Sequence, residues 1–483
     1  MRGDRRGIPP RRAAVHRRPS RRPDPVTSAL SFIWPFIVVI GILILVHEFG
    51  HFFVARWTGV GVERFSIGFG PILVRWRGKE TEYCLSAIPM GGYVKMMGEE
   101  SPLEGGTAPV VNPDKAFAAK PLWARFLIVF AGPAMNFVLA AVIVSVVFAT
   151  IGRTVWPPVA GRVADGGPAA AAGLRTGDRI LSVNGRPVSY WEDVDRAVAG
   201  SEGRPLQLDV EREGARQPMT VTPRRTTVQD PILKESREVW DIGAGPHGAP
   251  VITSVTPDSP AGAAGLKPGD VVLSVADQRV FSPDEMVQAI RSRPRQKLAL
   301  IVERDGKRLS LTVTPNAEKE RGPSGDEVEV GRIQAGIGGK AMGTAPYNPV
   351  AAVWHGAVWT SNMSATIVKG LWRIVLGSID RSNIGGPIQI ASMAGQQARE
   401  GFGQLALFTA FISVNLAVLN LLPVPILDGG HLLFFVIEAV LGRPLSLKKR
   451  EVAQQLGLAL LLLLMVFAIY NDLVRLDAFR IFR

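Results

Sequence analysis

Cysteine is almost absent from this chain. Cys84 stands alone among 483 residues, so no internal disulfide can form and any soluble part must be held by an ordinary apolar core. Cys84 itself falls in an expected strand and reads as a small apolar filler rather than a nucleophile. Histidine is scarce too, at six, so two of them one helical turn apart draw notice. Charge is missing altogether from Ala29 to Val46, which excludes a solvated helix there and fits a membrane span. Three more long stretches are nearly uncharged, and the material between them is polar and rich in Gly and Pro. That alternation excludes a single soluble globule. It implies a polytopic α-helical membrane protein with four spans that carries soluble modules. The length leaves room for two to four domains.

Acidic residues are the weaker side of the balance, and the net charge is +13. This is not a nucleic-acid signature. Nine Arg against Asp4 and Asp24 lie before Val26, so one short tail carries about half of the excess. Residues 1–28 are Arg- and Pro-rich and are expected to be disordered. No cleavage signature precedes the first span, which is therefore expected to be retained. The tail either binds anionic lipid or reflects an upstream start codon, with the natural chain beginning near Val26.

The uncharged run ends in His47-Glu48-Phe49-Gly50-His51. On a helix this spacing places two imidazoles on one face, one turn apart. It suits two ligands of a zinc ion, with Glu48 between them as a base for a water molecule. Ionisable residues at membrane depth are costly and point to function. The plainer reading is a helix end whose polar residues sit among the headgroups.

The first span is expected from about Ala29 to Phe53, with Trp34 and Trp57 as interface anchors. A membrane-associated β-hairpin follows within 60–96. Gly68-Phe69-Gly70-Pro71 marks a turn, and Ile72 to Trp76 and Glu82 to Ile88 read as two short strands about Gly78-Lys79. Gly68 and Gly70 could leave an edge open to an extended peptide; the alternative is a plain cytoplasmic hairpin. Residues 99–120 read as a polar loop. The second span runs from about Phe126 to Ile151. Within it Gly132-Pro133-Ala134-Met135-Asn136 interrupts the helical signal; its small residues allow close helix approach, and Asn136 can hydrogen-bond a neighbour.

An internal repeat then appears at an offset of 92 residues. Ala172-Gly173-Leu174-Arg175-Thr176-Gly177-Asp178 returns as Ala264-Gly265-Leu266-Lys267-Pro268-Gly269-Asp270. Each copy continues through a strand, a turn, a short helix and two more strands. This pattern resembles the PDZ domain, an α+β module, in two tandem copies at 155–225 and 245–316. PDZ domains add peptide C-termini or extended segments to a sheet edge; spacing or plugging is the competing role. The turn of the second copy, Ala276-Asp277 in place of Asn184-Gly185, is expected to be less regular.

Residues 317–400 read as a Gly-rich linker and then an interfacial amphipathic helix at Val350 to Leu376, broken by the run from Ser382 to Pro387. The third span is expected from about Phe402 to Leu422 and the fourth from about Val452 to Tyr470, within a second membrane half at 401–475. The third leads into Asn420-Leu421-Leu422-Pro423-Val424-Pro425-Ile426-Leu427-Asp428-Gly429-Gly430-His431. Two prolines forbid a regular helix, and broken backbone at depth is tolerated only where protein buries it or a cavity is lined. Such a break can bring Asp428 to the two histidines as a third ligand. The competing reading is a helix-capping Asp. His431 reads as opening a helix rather than as a further ligand. Arg443, Lys448, Lys449 and Arg450 place the link between spans three and four on the cytoplasmic side. The repeat is then outside, and both metal motifs sit toward the cytoplasmic ends of their spans.

HEFGH at 47–51, GFGP at 68–71, PMGGYVKM at 89–96, GPAMN at 132–136 and NLLPVPILDGG at 420–430 together resemble the site-2 intramembrane metalloprotease family. The resemblance covers nearly everything from Ala29 to Tyr470. It implies zinc held by His47, His51 and Asp428, with Glu48 as general base and Asn420 and Pro423 near the substrate. It implies a bacterial inner-membrane enzyme that cuts transmembrane segments, such as those of anti-sigma factors already trimmed outside the membrane, and leftover signal peptides. Two rival readings stand beside it: a PDZ-based membrane adaptor that binds peptides without cutting, and a metal transporter.

Overall fold

The computed structural model describes residues 25–98, 112–229, 236–256, 258–321, 327–340, 343–376 and 385–475. The Arg-rich tail up to residue 24, most of the polar loop and the break at 382–384 lie outside them. Among the described residues, four helices are long and apolar enough to cross a membrane. They are Pro25–Trp57, Leu122–Thr150, Phe402–Asn420 and Leu447–Arg475. Each of the expected spans is present, and the second and fourth are longer than expected. The expected interruption at Gly132-Pro133 does not occur: the second span runs through it as one helix. A proline inside a helix loses a single backbone bond and can kink it, and neighbouring protein tolerates this at depth.

The chain divides into two compact units. Met1–Val144 with Gly356–Arg483 forms one, and Ser145–His355 the other. The first unit holds all the membrane spans except the end of the second. It also holds a sheet more elaborate than the expected hairpin. Val62–Arg77 and Glu82–Met96 pair antiparallel, but residues 64–67 have partners on both sides. Arg64 pairs with both Lys95 and Glu82, and Ser66 with both Tyr93 and Cys84. Each long strand is therefore folded back on itself. The segments lie in the order 92–96, 62–67, 82–86, 72–77. The corner of the first strand is at Gly68 and Gly70, both with left-handed φ, +89° and +83°, where a side chain would strain the backbone. Cys84 is buried in this sheet, as expected of a filler.

The 317–400 region differs from a structureless linker. It forms strands Asn316–Arg321, Glu327–Arg332, Ala335–Gly339 and Gly343–Ala345, then helices Pro349–Val375 and Pro387–Glu400. The last of these was not expected. Its first turn is fixed by Asp472, which accepts hydrogen bonds from the N–H groups of Gly386, Ile388 and Gln389 at 2.9–3.1 Å. A carboxylate so placed satisfies donors that a helix start leaves free.

In the second unit the repeat forms two modules of like construction. The first has a sheet ordered 186–187, 179–183, 206–212, 215–221, backed by helix Trp191–Ala199. The second has the corresponding strands and helix Pro283–Arg291. Val194 and Met286, 92 residues apart, occupy equivalent places in the two cores, and Trp191 is buried in the first. Each core also takes a residue from beyond the expected boundary, Ile242 and Ile333. A later strand completes each module: Ala244–Pro246 pairs with Ala160–Val163, and Ala335–Gly339 with Pro250–Val255. The repeated Gly-Asp has a physical reason. Asp178 accepts from the Arg175 N–H at 2.7 Å and from Arg212 at 2.7–2.8 Å. Asp270 does the same with Lys267 and Arg304. Burial would raise both carboxyls, but the arginine and the loop N–H outweigh it and hold them below the usual range. The turn of the second copy is not irregular. Ala276 and Asp277 take φ of +48° and +65°, close to +48° and +74° at Asn184 and Gly185. The hairpin's twist demands this geometry, and Ala276 accepts the strain.

Candidate metal centre

His47 and His51 lie in the second half of the first span, where the i, i+4 spacing stacks their rings edge to face with centroids 4.9 Å apart. Both are 8% exposed. The second span lies directly against them. A Cβ on Gly132 would overlap His51 Nε2 and come within 3.0 Å of His47 Cε1. Glycine at this position is what lets the backbone cover both rings.

Asp428 arrives from the far end of the sequence. After Asn420 the helix stops, and a tight turn follows with backbone bonds from Val424 to Leu422 and from Leu427 to Val424. Asp428 then opens helix Asp428–Leu441. Gly429 and Gly430 press on the turn so closely that Cβ atoms there would overlap the carbonyls of Leu422 and Val424. The outcome is a meeting of three ligand atoms. His47 Nε2 lies 3.1 Å from Asp428 Oδ2, His51 Nε2 lies 3.6 Å from it, and the two nitrogens are 3.3 Å apart. Donors about 2 Å from one tetrahedral ion stand roughly 3.3 Å from each other, so the three separations match the edges of such a site. Asp428 Oδ2 is also buried without a hydrogen-bond partner, a costly state for a carboxylate oxygen unless a cation meets it. Among the described residues this is the group of His, Cys, Asp and Glu side chains arranged to hold a metal ion. His431 is not part of it; its ring packs against Phe434.

Glu48 points from the same helical turn toward the folded-back sheet. A Cβ on Gly92 would come within 3.0 Å of Glu48 Cγ. The segment beside Glu48 is therefore 92–96. Gly68 and Gly70 instead make the corner of the sheet, against Ile88. Asn420 ends the third span and Pro423 sits in the next turn; both belong to the segment that delivers Asp428.

Two supporting groups were less legible. His51 Nδ1 donates to the Ile128 carbonyl at 2.9 Å. His47 Nδ1 faces the Asn136 carboxamide at 3.2 Å, and Asn136 is fully buried. The signal for Asn136 was present, a strong hydrogen-bonding side chain in an apolar span, but its target was not.

A profile of peptidase family M50 matches residues 35–464. The regulator of sigma-E protease RseP of Escherichia coli K12 is 36% identical over 461 residues, covering 92% of this chain and all of that one. A Vibrio cholerae protein named as a presumed zinc metalloprotease is 37% identical over 468 residues, covering 91% of this chain and 98% of that one. The protease RseP of Yersinia pestis is 37% identical over 460 residues, covering 92% of this chain and all of that one. Among solved structures, the PDZ domain of an SdrC-like protein from Listeria monocytogenes is 17% identical, with a TM-score of 0.16; it covers 19% of this chain and 90% of that one.

Proposed function

The chain belongs to peptidase family M50, and on that footing we propose that it is a zinc-dependent endopeptidase that cuts single-pass transmembrane segments within the bilayer. The observation that carries this reading is the convergence of His47, His51 and Asp428 on one point, beside Glu48. His47, His51 and Asp428 hold the zinc. Zinc, when bound, supplies a Lewis acid for the scissile carbonyl and makes a nearby water acidic. Glu48 is the general base. Its carboxylate accepts the water's proton and returns it to the leaving amine.

A helical substrate hides its peptide bonds, so it must be held extended before it is cut. The folded-back sheet supports such pairing. Gly68 and Gly70 set its corner, segment 92–96 runs beside Glu48, and Asn420 and Pro423 line the approach on the side of Asp428. Substrates are anti-sigma-factor-like proteins already trimmed outside the membrane, and remnant signal peptides. The two PDZ modules, on the extracytoplasmic side, bind peptide ends and refuse proteins whose external domain is still bulky. The membrane is a bacterial inner membrane, with the metal centre toward the cytoplasmic face, as the basic link at 443–450 supports.

The test is incubation of the purified protein with a transmembrane segment, with and without a chelator, beside Glu48→Gln. Cleavage lost in both arms is expected. Full function in Glu48→Gln would favour the non-cutting adaptor, and metal flux in vesicles without peptide products would favour the transporter.

A further inference from the structure

An imidazole that ligates through Nε2 must carry its proton on Nδ1, and that proton needs an acceptor. For His51 the acceptor is present: the Ile128 carbonyl, 2.9 Å from Nδ1. For His47, the group facing Nδ1 among the described residues is the Asn136 side chain, with Nδ2 at 3.2 Å. Its Oδ1 is buried without a hydrogen-bond partner. A carboxamide has two settings that differ by a half-turn and exchange oxygen for nitrogen. With Nδ2 toward His47, the amide donates, and the imidazole proton is forced onto Nε2, where a cation would sit. With Oδ1 toward His47, the amide accepts, and Nε2 is free to ligate.

Ile128, Gly132 and Asn136 fall four residues apart on the second span, hence on one face. That single stripe presents a carbonyl to His51, bare backbone to both rings and a carboxamide to His47. The Asn136 backbone is braced in turn, since Ser413 of the third span donates to its carbonyl at 2.7 Å.

We infer that Asn136 is a positioning residue for the metal: its Oδ1 accepts the His47 Nδ1–H and so sets the tautomer that leaves Nε2 free for zinc. This rests on the reading that His47, His51 and Asp428 hold that ion. The inference separates two substitutions of similar size. Aspartate keeps an acceptor and loses the donor; alanine loses both.

The experiment uses the full chain in detergent, stripped with a chelator and titrated with zinc against a chromophoric competitor. The unfolding temperature of each metal-free protein is measured alongside as a control on packing. Asn136→Ala is expected to bind zinc roughly 10–100-fold more weakly, the usual effect of losing such a partner. Asn136→Asp is expected to bind close to wild type, even where its metal-free form unfolds earlier. Equal affinity in Asn136→Ala and wild type would overturn the inference, as would a loss in Asn136→Asp as large as in Asn136→Ala. If the wild-type chain takes up no zinc, the three-ligand reading itself fails, and this inference with it.

Discussion

His47, Glu48 and His51 share a single helical turn, and the role proposed for each is checkable by one substitution. Glu48→Gln keeps the shape and the ligands but removes the base. Turnover of a transmembrane peptide is expected to fall by about 10²–10⁴-fold, with zinc content unchanged by metal analysis. A variant that lost zinc together with activity would place Glu48 among the ligands instead. Gly132→Ala acts from the other side. The added methyl overlaps His51 Nε2, so the helix must retreat or the ring must turn. Zinc stoichiometry is expected to drop, and a fully loaded Gly132→Ala protein would mean that the second span does not cover the rings as described. The HExxH residues and Asp428 were legible in the sequence because charge at membrane depth is costly and stands out. Gly132 was noted as a small residue, but its target was not legible. A close approach between helices 80 residues apart leaves no periodic trace.

Larger pieces of structure leave uneven traces in the sequence. The spans were plain, since uniform apolarity over some twenty residues has few other meanings. The sheet was not. Its alternation marked strands on either side of Gly78, but nothing local tells a strand to fold back and pair with two partners, as 64–67 do. Helix Pro387–Glu400 was missed for a related reason: the group that starts it, Asp472, lies more than eighty residues away. The repeated Gly-Asp motif, by contrast, was visible and now has a cause in the Asp178–Arg212 and Asp270–Arg304 pairs. Asp178→Ala removes the acceptor of both the Arg175 N–H and Arg212 and is expected to destabilise the first module by about 1–3 kcal/mol, seen as a lower unfolding temperature by tryptophan fluorescence. The same pairs fix a sign for pH. Folded-state carboxyl pKa values below the unfolded value of about 3.9 add stability that is present above that pH and lost as pH falls through the folded values. Stability from these groups is therefore expected to hold from pH 7 to 5 and to decline below about pH 4. Double substitution with Asn at 178 and 270 should flatten that decline; an unchanged acid profile would contradict the assignment.

At the scale of the whole chain, the unit Ser145–His355 starts in the last turns of the second span and ends ahead of the third, while His47, Glu48, His51 and Asp428 all fall in the other unit. That division predicts that catalysis and its restraint are separable. Removal of residues 155–315 is expected to leave zinc binding intact and to expose substrates whose external domain is untrimmed. If such substrates stayed as resistant as before, the modules would not be gates. Convergence of His47, His51 and Asp428 on one zinc ion is tested most directly by X-ray absorption at the zinc edge on the purified chain and on Asp428→Ala. One zinc per chain with two imidazole nitrogens and a carboxylate oxygen is expected in the wild type, with the carboxylate contribution and most of the metal lost in the variant. A zinc environment identical in the two proteins, or no zinc in either, would contradict the account.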